Sequence, residues 1–189
     1  MYSKLKQKIF NLLRFFFGKY YYHLLLKLMH LKPNTFKGYS LKSNILYINK
    51  IIDKNNINSL LDFGCGKGLE YDNYPFEKKD LDIFLYDPYF FKYSKLPKTK
   101  YDLTICTDVM EHVEIDNLEN TLKNINKFSE KVIFFSISTR LAKKSLPDGR
   151  NAHVTIMTEN RWKKIIRDHI EKNIVVYVRF DDQKEIAKI

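Results

Sequence analysis

Asp62 sits near the end of the apolar run Ser59-Leu60-Leu61-Asp62-Phe63, and Gly64, Gly66 and Gly68 follow at alternate positions around Cys65 and Lys67. Glycine takes φ > 0 without penalty and has no Cβ, so such a turn after a strand lets backbone N–H groups approach a ligand closely. The G-x-G-x-G spacing, with Leu69 next, differs from the G-x-G-x-x-G of a dinucleotide site. It is not a P-loop, which needs Ser or Thr where Gly68 stands. Asp87 falls 19 residues after Gly68 and closes a second apolar run, Leu81–Tyr86. A carboxylate there is placed to accept hydrogen bonds from ribose hydroxyls. Asp before Pro88 is equally a common turn, so the two features count together rather than singly.

These residues need a sheet behind them. Strands are expected at 59–63, 81–86, 103–106, 132–138 and 174–178, with a last short one within 184–189. Helices are expected over 40–54, where Leu41, Ile45, Ile48, Ile51 and Ile52 share a side, over 116–128, and from an N-cap at Thr158. Only 12 residues, 69–80 with Pro75 among them, lie between the glycine turn and the second strand, so that crossover helix is short or irregular. Fourteen residues between Asp87 and Asp102 leave no room for a full crossover, strand and helix; the third-strand region is cut down to a loop or a lone edge strand. Strands alternating with helices make an α/β protein with a mostly parallel sheet.

At 189 residues the chain can bury an ordinary core, and 44% hydrophobic with 29% charged residues fits a folded soluble protein. Cys65 and Cys106 have no spacing partner, which points to no disulfide framework and to a reducing, cytoplasmic compartment. The net charge of +11 is uneven: residues 1–52 hold ten basic residues and no acidic one. The rest, 53–189, is nearly neutral, and the chain divides into a basic, aromatic-rich helical segment, 1–35, and the remainder, 36–189. Residues 2–31 read as amphipathic helix, with Gly18 a break, and contain no apolar run long enough to span a bilayer. Three readings stay open for that segment: helices that cover the ligand cleft, peripheral contact with the inner membrane surface, or contact with nucleic acid, the least favoured.

Taken in order, Leu60-Leu61-Asp62-Phe63-Gly64-Cys65-Gly66-Lys67-Gly68, Asp87 and Tyr101–Val113 resemble the motifs of class I S-adenosylmethionine-dependent methyltransferases. The ubiquinone and small-molecule type is the nearest flavour. The resemblance covers roughly residues 40–180. It implies a Rossmann-like three-layer sandwich, trimmed in its third-strand region and preceded by N-terminal helices, that binds S-adenosyl-L-methionine. It also implies site roles: Asp62 and the backbone of Gly64, Cys65, Gly66 and Gly68 for the methionine part, Asp87 for the ribose, Pro88 or its neighbour beside the adenine, and Thr107-Asp108 near the sulfonium. The shortened 88–101 stretch usually supplies an adenine contact, leaving that role to backbone or to Tyr89 and Phe90.

A sulfonium methyl is already electrophilic, so the protein's share is alignment and removal of a proton from an O–H or N–H acceptor. His153, after the polar loop 139–153, is the candidate base; the competing reading is a histidine that caps a turn. Tyr39 and Arg150 are candidates for holding the acceptor, each with a packing role as its alternative. The acceptor class is a small molecule, a sugar of a glycan or a lipid-like compound. Asp108, Glu111, His112 and His153 also fit a metal-assisted RNA 2′-O-methyltransferase, but the further His-rich signature is absent, so no metal is expected and Glu111 and His112 brace the helix start. A non-catalytic binding module on the same fold and a dinucleotide oxidoreductase are the remaining rivals.

Overall fold

The computed structural model describes residues 2–189. Its elements run α1 (Tyr2–Phe17), α2 (Tyr21–His30), α3 (Ser40–Lys54), β1 (Ser59–Phe63), β2 (Asp82–Tyr86), β3 (Tyr101–Thr107), α4 (Leu118–Phe128), β4 (Ser129–Ile137), α5 (Glu159–His169), β5 (Val175–Phe180) and β6 (Ala187–Lys188). The sheet order is β2-β1-β3-β4-β5-β6, with the first five strands parallel and β6 antiparallel to β5.

Alternation along each strand buries both faces. Leu61, Phe63, Cys106, Ile133, Phe135 and Val178 pack under α4 and α5, joined by Leu122, Ile125, Trp162 and Ile166. Leu60, Leu103, Ile105, Val132, Phe134 and Tyr177 face α3, which contributes Leu41, Ile48, Ile51 and Ile52. Three layers result, and the α3 side is thin. Both shortened crossovers fall where the residue counts demand. The first holds only a 3₁₀ turn, Leu69–Asn73, and the region of the third strand is a loop with another, Phe91–Tyr93. The Thr158 side chain caps α5 by accepting from the Arg161 N–H at 3.4 Å.

The N-terminal helices part company. The apolar side of α2, with Tyr21, Tyr22, Leu25, Leu26 and Met29, is buried against Leu146 and Ala152 of the loop after β4. Tyr22 Oη donates to the His112 carbonyl at 2.5 Å and Tyr21 Oη donates to Asp148 at 3.2 Å, fixing α2 over the carboxyl edge of the sheet. From α1, Phe10 and Leu13 pack against this cluster.

Candidate active site

The carboxyl ends of β1, β2, β3 and β4 open on one cavity of about 1030 Å³. In a parallel sheet this edge is where ligands bind, because strand order reverses around β1 and β3 and the connecting loops diverge there. Gly64, Gly66, Asp87, Pro88, Thr107, Asp108, Tyr39 and His153 all line the cavity. Asp62, Cys65, Gly68 and Arg150 are not among its lining residues.

Gly64 and Gly66 have φ of 96° and 59°. A Cβ on Gly66 would sit 2.4 Å from the Phe36 carbonyl oxygen, and one on Gly64 would sit 2.4 Å from a Val109 methyl. The N–H groups of the turn, expected from the sequence to face a ligand, are turned to the protein's own acceptors. Gly64 and Cys65 donate to the Tyr86 carbonyl at 2.7 and 3.1 Å, and Gly66 donates to Asp87 Oδ2 at 3.0 Å. Lys67 and Leu69 donate to the Phe36 and Lys37 carbonyls at 2.9 and 3.3 Å, and Gly68 donates to the Cys65 carbonyl at 3.0 Å. The 36–38 turn between α2 and α3 uses up donors that a simpler strand–turn–helix would leave free. What Gly64 and Gly66 offer the cavity is bare backbone.

Asp62 and Cys65 lie behind the turn. Asp62 accepts from the Tyr71 hydroxyl at 2.7 Å; burial, only partly offset by that bond, pushes its carboxyl up to about 7, and the nearby Asp87 charge adds to the rise. The Cys65 thiol is buried and pushed up for the same first reason.

Asp87 is buried at the end of β2, and its Oδ1 accepts from the N–H groups of Tyr89 at 2.8 Å and Phe90 at 3.2 Å. His30 of α2 brings Nε2 within 3.4 Å of the same oxygen, without a directed hydrogen bond. The ring is held by an Nδ1 contact of 2.9 Å to the Leu26 carbonyl and stacks on Phe36 at 4.5 Å. His30 falls within the stretch 2–31 that reads as amphipathic helix; its partner is remote in the chain and no local signal marks it.

Thr107 is held by Ser40, the first residue of α3, with 3.0 Å between hydroxyl oxygens. Asp108 follows in the left-handed region, φ 54°, a strained conformation of the kind found at functional sites. Its backbone donates to the Ser136 carbonyl at 2.9 Å and its Oδ1 accepts from the Ser136 hydroxyl at 3.1 Å. The side chain opens on the cavity with protein packed around the rest, and that surrounding raises its carboxyl above the usual range, with the Ser136 bond and His153 opposing.

His153 is half-buried, with Nδ1 2.6 Å from the Arg140 carbonyl and its ring edge-on to His112 at 4.9 Å. A carbonyl only accepts, so Nδ1 carries the proton and Nε2 is the basic nitrogen. His112 is neutral, since burial drives it down to about 4, and its Nδ1 donates to the Ala152 carbonyl at 2.7 Å. Glu111 is fully buried, accepts from the Ser138 N–H at 3.0 Å through Oε1, and is pushed by burial up to about 8; its Oε2 has no partner among the described residues. No group of three or more His, Cys, Asp and Glu side chains among the described residues is arranged to hold a metal. Arg150, for which contact with the acceptor and packing were both open, does not line the cavity. It pairs with Asp148 at 2.8 Å and lies over the rings of Tyr21 and Tyr22, so it fastens α2 to the loop after β4.

No curated protein and no solved structure matches the chain. A family model described as a methyltransferase domain matches residues 30–170, which takes in the glycine turn, Asp87, Asp108 and His153. With that match over a mostly parallel sheet and a cleft at its carboxyl edge, the chain belongs to the methyltransferase domain family, has the Rossmann-like fold of class I methyltransferases, and is a methyltransferase.

Proposed function

We propose that the protein moves the methyl group of S-adenosylmethionine to an oxygen or nitrogen of a small-molecule, sugar or lipid-like acceptor. The observation that carries this reading is the Asp87 carboxylate facing the bare backbone of Gly64 and Gly66 in one cavity. The residues fit the cofactor. A carboxylate at the end of β2 suits a ribose diol, and Gly64 and Gly66 line the same cavity with backbone that carries no side chain. Pockets for one drug-sized ligand run from about 300 to 1000 Å³, so a cavity of about 1030 Å³ has room for cofactor and acceptor together.

When bound, the cofactor supplies an electrophilic methyl on a positively charged sulfur. The chain's own residues do the rest. Asp87 and the glycine backbone fix one end of the site, and Asp108 presents negative charge beside it. Nε2 of His153 takes the proton from the acceptor O–H or N–H as the new bond to carbon forms. Tyr22, Leu26, Met29 and Val113 give the acceptor an apolar wall, whereas Asn120, Asn124, Lys143 and Lys144 give it a polar one.

Calorimetry with S-adenosylmethionine, S-adenosylhomocysteine and NAD tests the cofactor. The first two are expected to bind, NAD is not, and Asp87→Ala is expected to weaken binding at least about tenfold, the loss of a charge-assisted hydrogen bond. Unchanged affinity in that variant sinks the reading. Incubation with labelled cofactor and cell extract, followed by product mass, identifies the acceptor. On that acceptor His153→Ala is expected to lower turnover by about 10² to 10⁴ while cofactor affinity holds.

A further inference from the structure

We infer that α1 lies side-on against a bilayer surface containing anionic lipid, and that α2 does not. The two helices are adjacent in a segment of one composition, yet the fold uses them differently. The apolar side of α2 is buried over the cavity. In α1, Leu5, Ile9, Leu12 and Phe16 recur at i, i+4, i+7 and i+11 on one side and are 60%, 51%, 58% and 72% exposed. Phe10 and Leu13, further round the same wide apolar face, pack against the body of the protein. The protein covers one edge of that face and leaves the stripe uncovered.

Soluble monomers rarely leave a contiguous apolar stripe of this kind in water. Its surroundings choose the occupant. Lys6, Lys8 and Arg14 are exposed on the same helix, and no Asp or Glu occurs before Asp53. A second copy of this chain, at +11, would bring like charge to like charge, whereas an anionic headgroup layer relieves it. A nucleic acid would answer the charge and leave the leucine and isoleucine side chains in water. At 16 residues α1 is about 24 Å long, short of a hydrocarbon core of about 30 Å, and no helix among the described residues is long and apolar enough to cross a membrane. An apolar stripe flanked by basic residues on such a helix is the pattern of an interfacial one, sunk to the boundary of headgroups and acyl chains. The inference does not depend on which acceptor the site takes.

Flotation of the full-length protein with vesicles of phosphatidylcholine alone, and with phosphatidylglycerol added, tests this. The protein is expected to float with the anionic vesicles, to stay behind with the neutral ones, and to be released at high salt, where surface charge is screened. Ile9→Glu/Phe16→Glu is expected to cut the bound fraction at least fivefold, and Lys6→Glu/Lys8→Glu to do the same, with thermal midpoints kept. Phe16→Ser, a milder change on the same stripe, is expected to weaken flotation without touching the fold and decides the matter should the double variant unfold. Failure to float, or equal recovery with both vesicle types, overturns the inference. So does a concentration-dependent dimer abolished by Phe16→Ser in a protein that does not float, which would give the stripe to a second copy.

Discussion

Glu111 couples the site to stability through its protonation. Its carboxyl is at 4.5 in an unfolded chain and about 8 in the folded one, so the folded state holds the extra proton throughout that interval. Stability from a raised acid is full below the unfolded value and is lost as pH rises through the folded value, at up to about 1.4 kcal/mol per pH unit. Asp62, at about 7, adds the same sign over the lower part of the interval. His112, depressed to about 4, has the opposite sign below its ordinary 6.5, so from about 7 to 8 Glu111 carries most of the slope, with a fading share from Asp62. The melting temperature is expected to fall across that stretch, and Glu111→Gln to flatten the fall; a melting curve at each pH checks it. A variant that falls as steeply as the parent would give the proton to another group. The sequence shows that residue 111 carries an acid but not its burial, which is set by Ser138 and by the loop after β4. For the same reason Glu111 and His112 could be read as metal ligands, whereas the structure turns one to a backbone N–H and the other to a carbonyl. For Arg150 the sequence left an acceptor contact and a packing role side by side, and the packing partners, Tyr21 and Tyr22, are too far away in the chain to be read from it.

Most of the elements were legible because each announces itself locally. Strand positions follow from short apolar runs, the Thr158 cap from its side chain, and the missing third strand from a plain shortage of residues between Asp87 and Asp102. What was not legible is how α2 meets β2. Asp87 accepts from Gly66, Tyr89 and Phe90, and His30 sits against the remaining capacity of a group with about four lone-pair sites. A ribose diol arriving at Asp87 competes with His30 for it. His30→Ala is therefore expected to tighten S-adenosylmethionine several-fold in calorimetry, with His30→Gln intermediate. Weakened binding would instead mean that the imidazole holds Asp87 in its working position. Arg179 makes a similar point about strands. It lies just past the apolar run 174–178 with no local mark of burial, yet it is buried, donating at 2.9 Å to Asn44 of α3 and at 2.7 Å to the Gln183 carbonyl, and so ties one layer of the sandwich to the sheet.

Across the whole molecule, α2 is where the basic N-terminus and the neutral catalytic body become one structure. Six of its residues are buried, and its tyrosines reach His112, Asp148 and Arg150, so the loop after β4 is ordered partly by a helix from the start of the chain. α1, by contrast, leaves its stripe in solvent and packs Phe10 and Leu13, only partly buried, against the body. The two helices should therefore separate in their contribution to stability although they share composition and charge. A chain beginning at Tyr21 is expected to melt within a few degrees of the full-length protein. A chain beginning at Leu31 loses those six buried side chains, at ~1.5–3 kcal/mol each before allowing for a compact unfolded state, or a net loss on the order of 5 kcal/mol. For a chain of this size that corresponds to a midpoint at least about 10 °C lower, readable by circular dichroism. Equal midpoints for all three chains would make α2 a passive cover. A large drop already at Tyr21 would instead show that the exposed stripe of α1 matters to the fold itself, and so would also weigh against its lying on lipid.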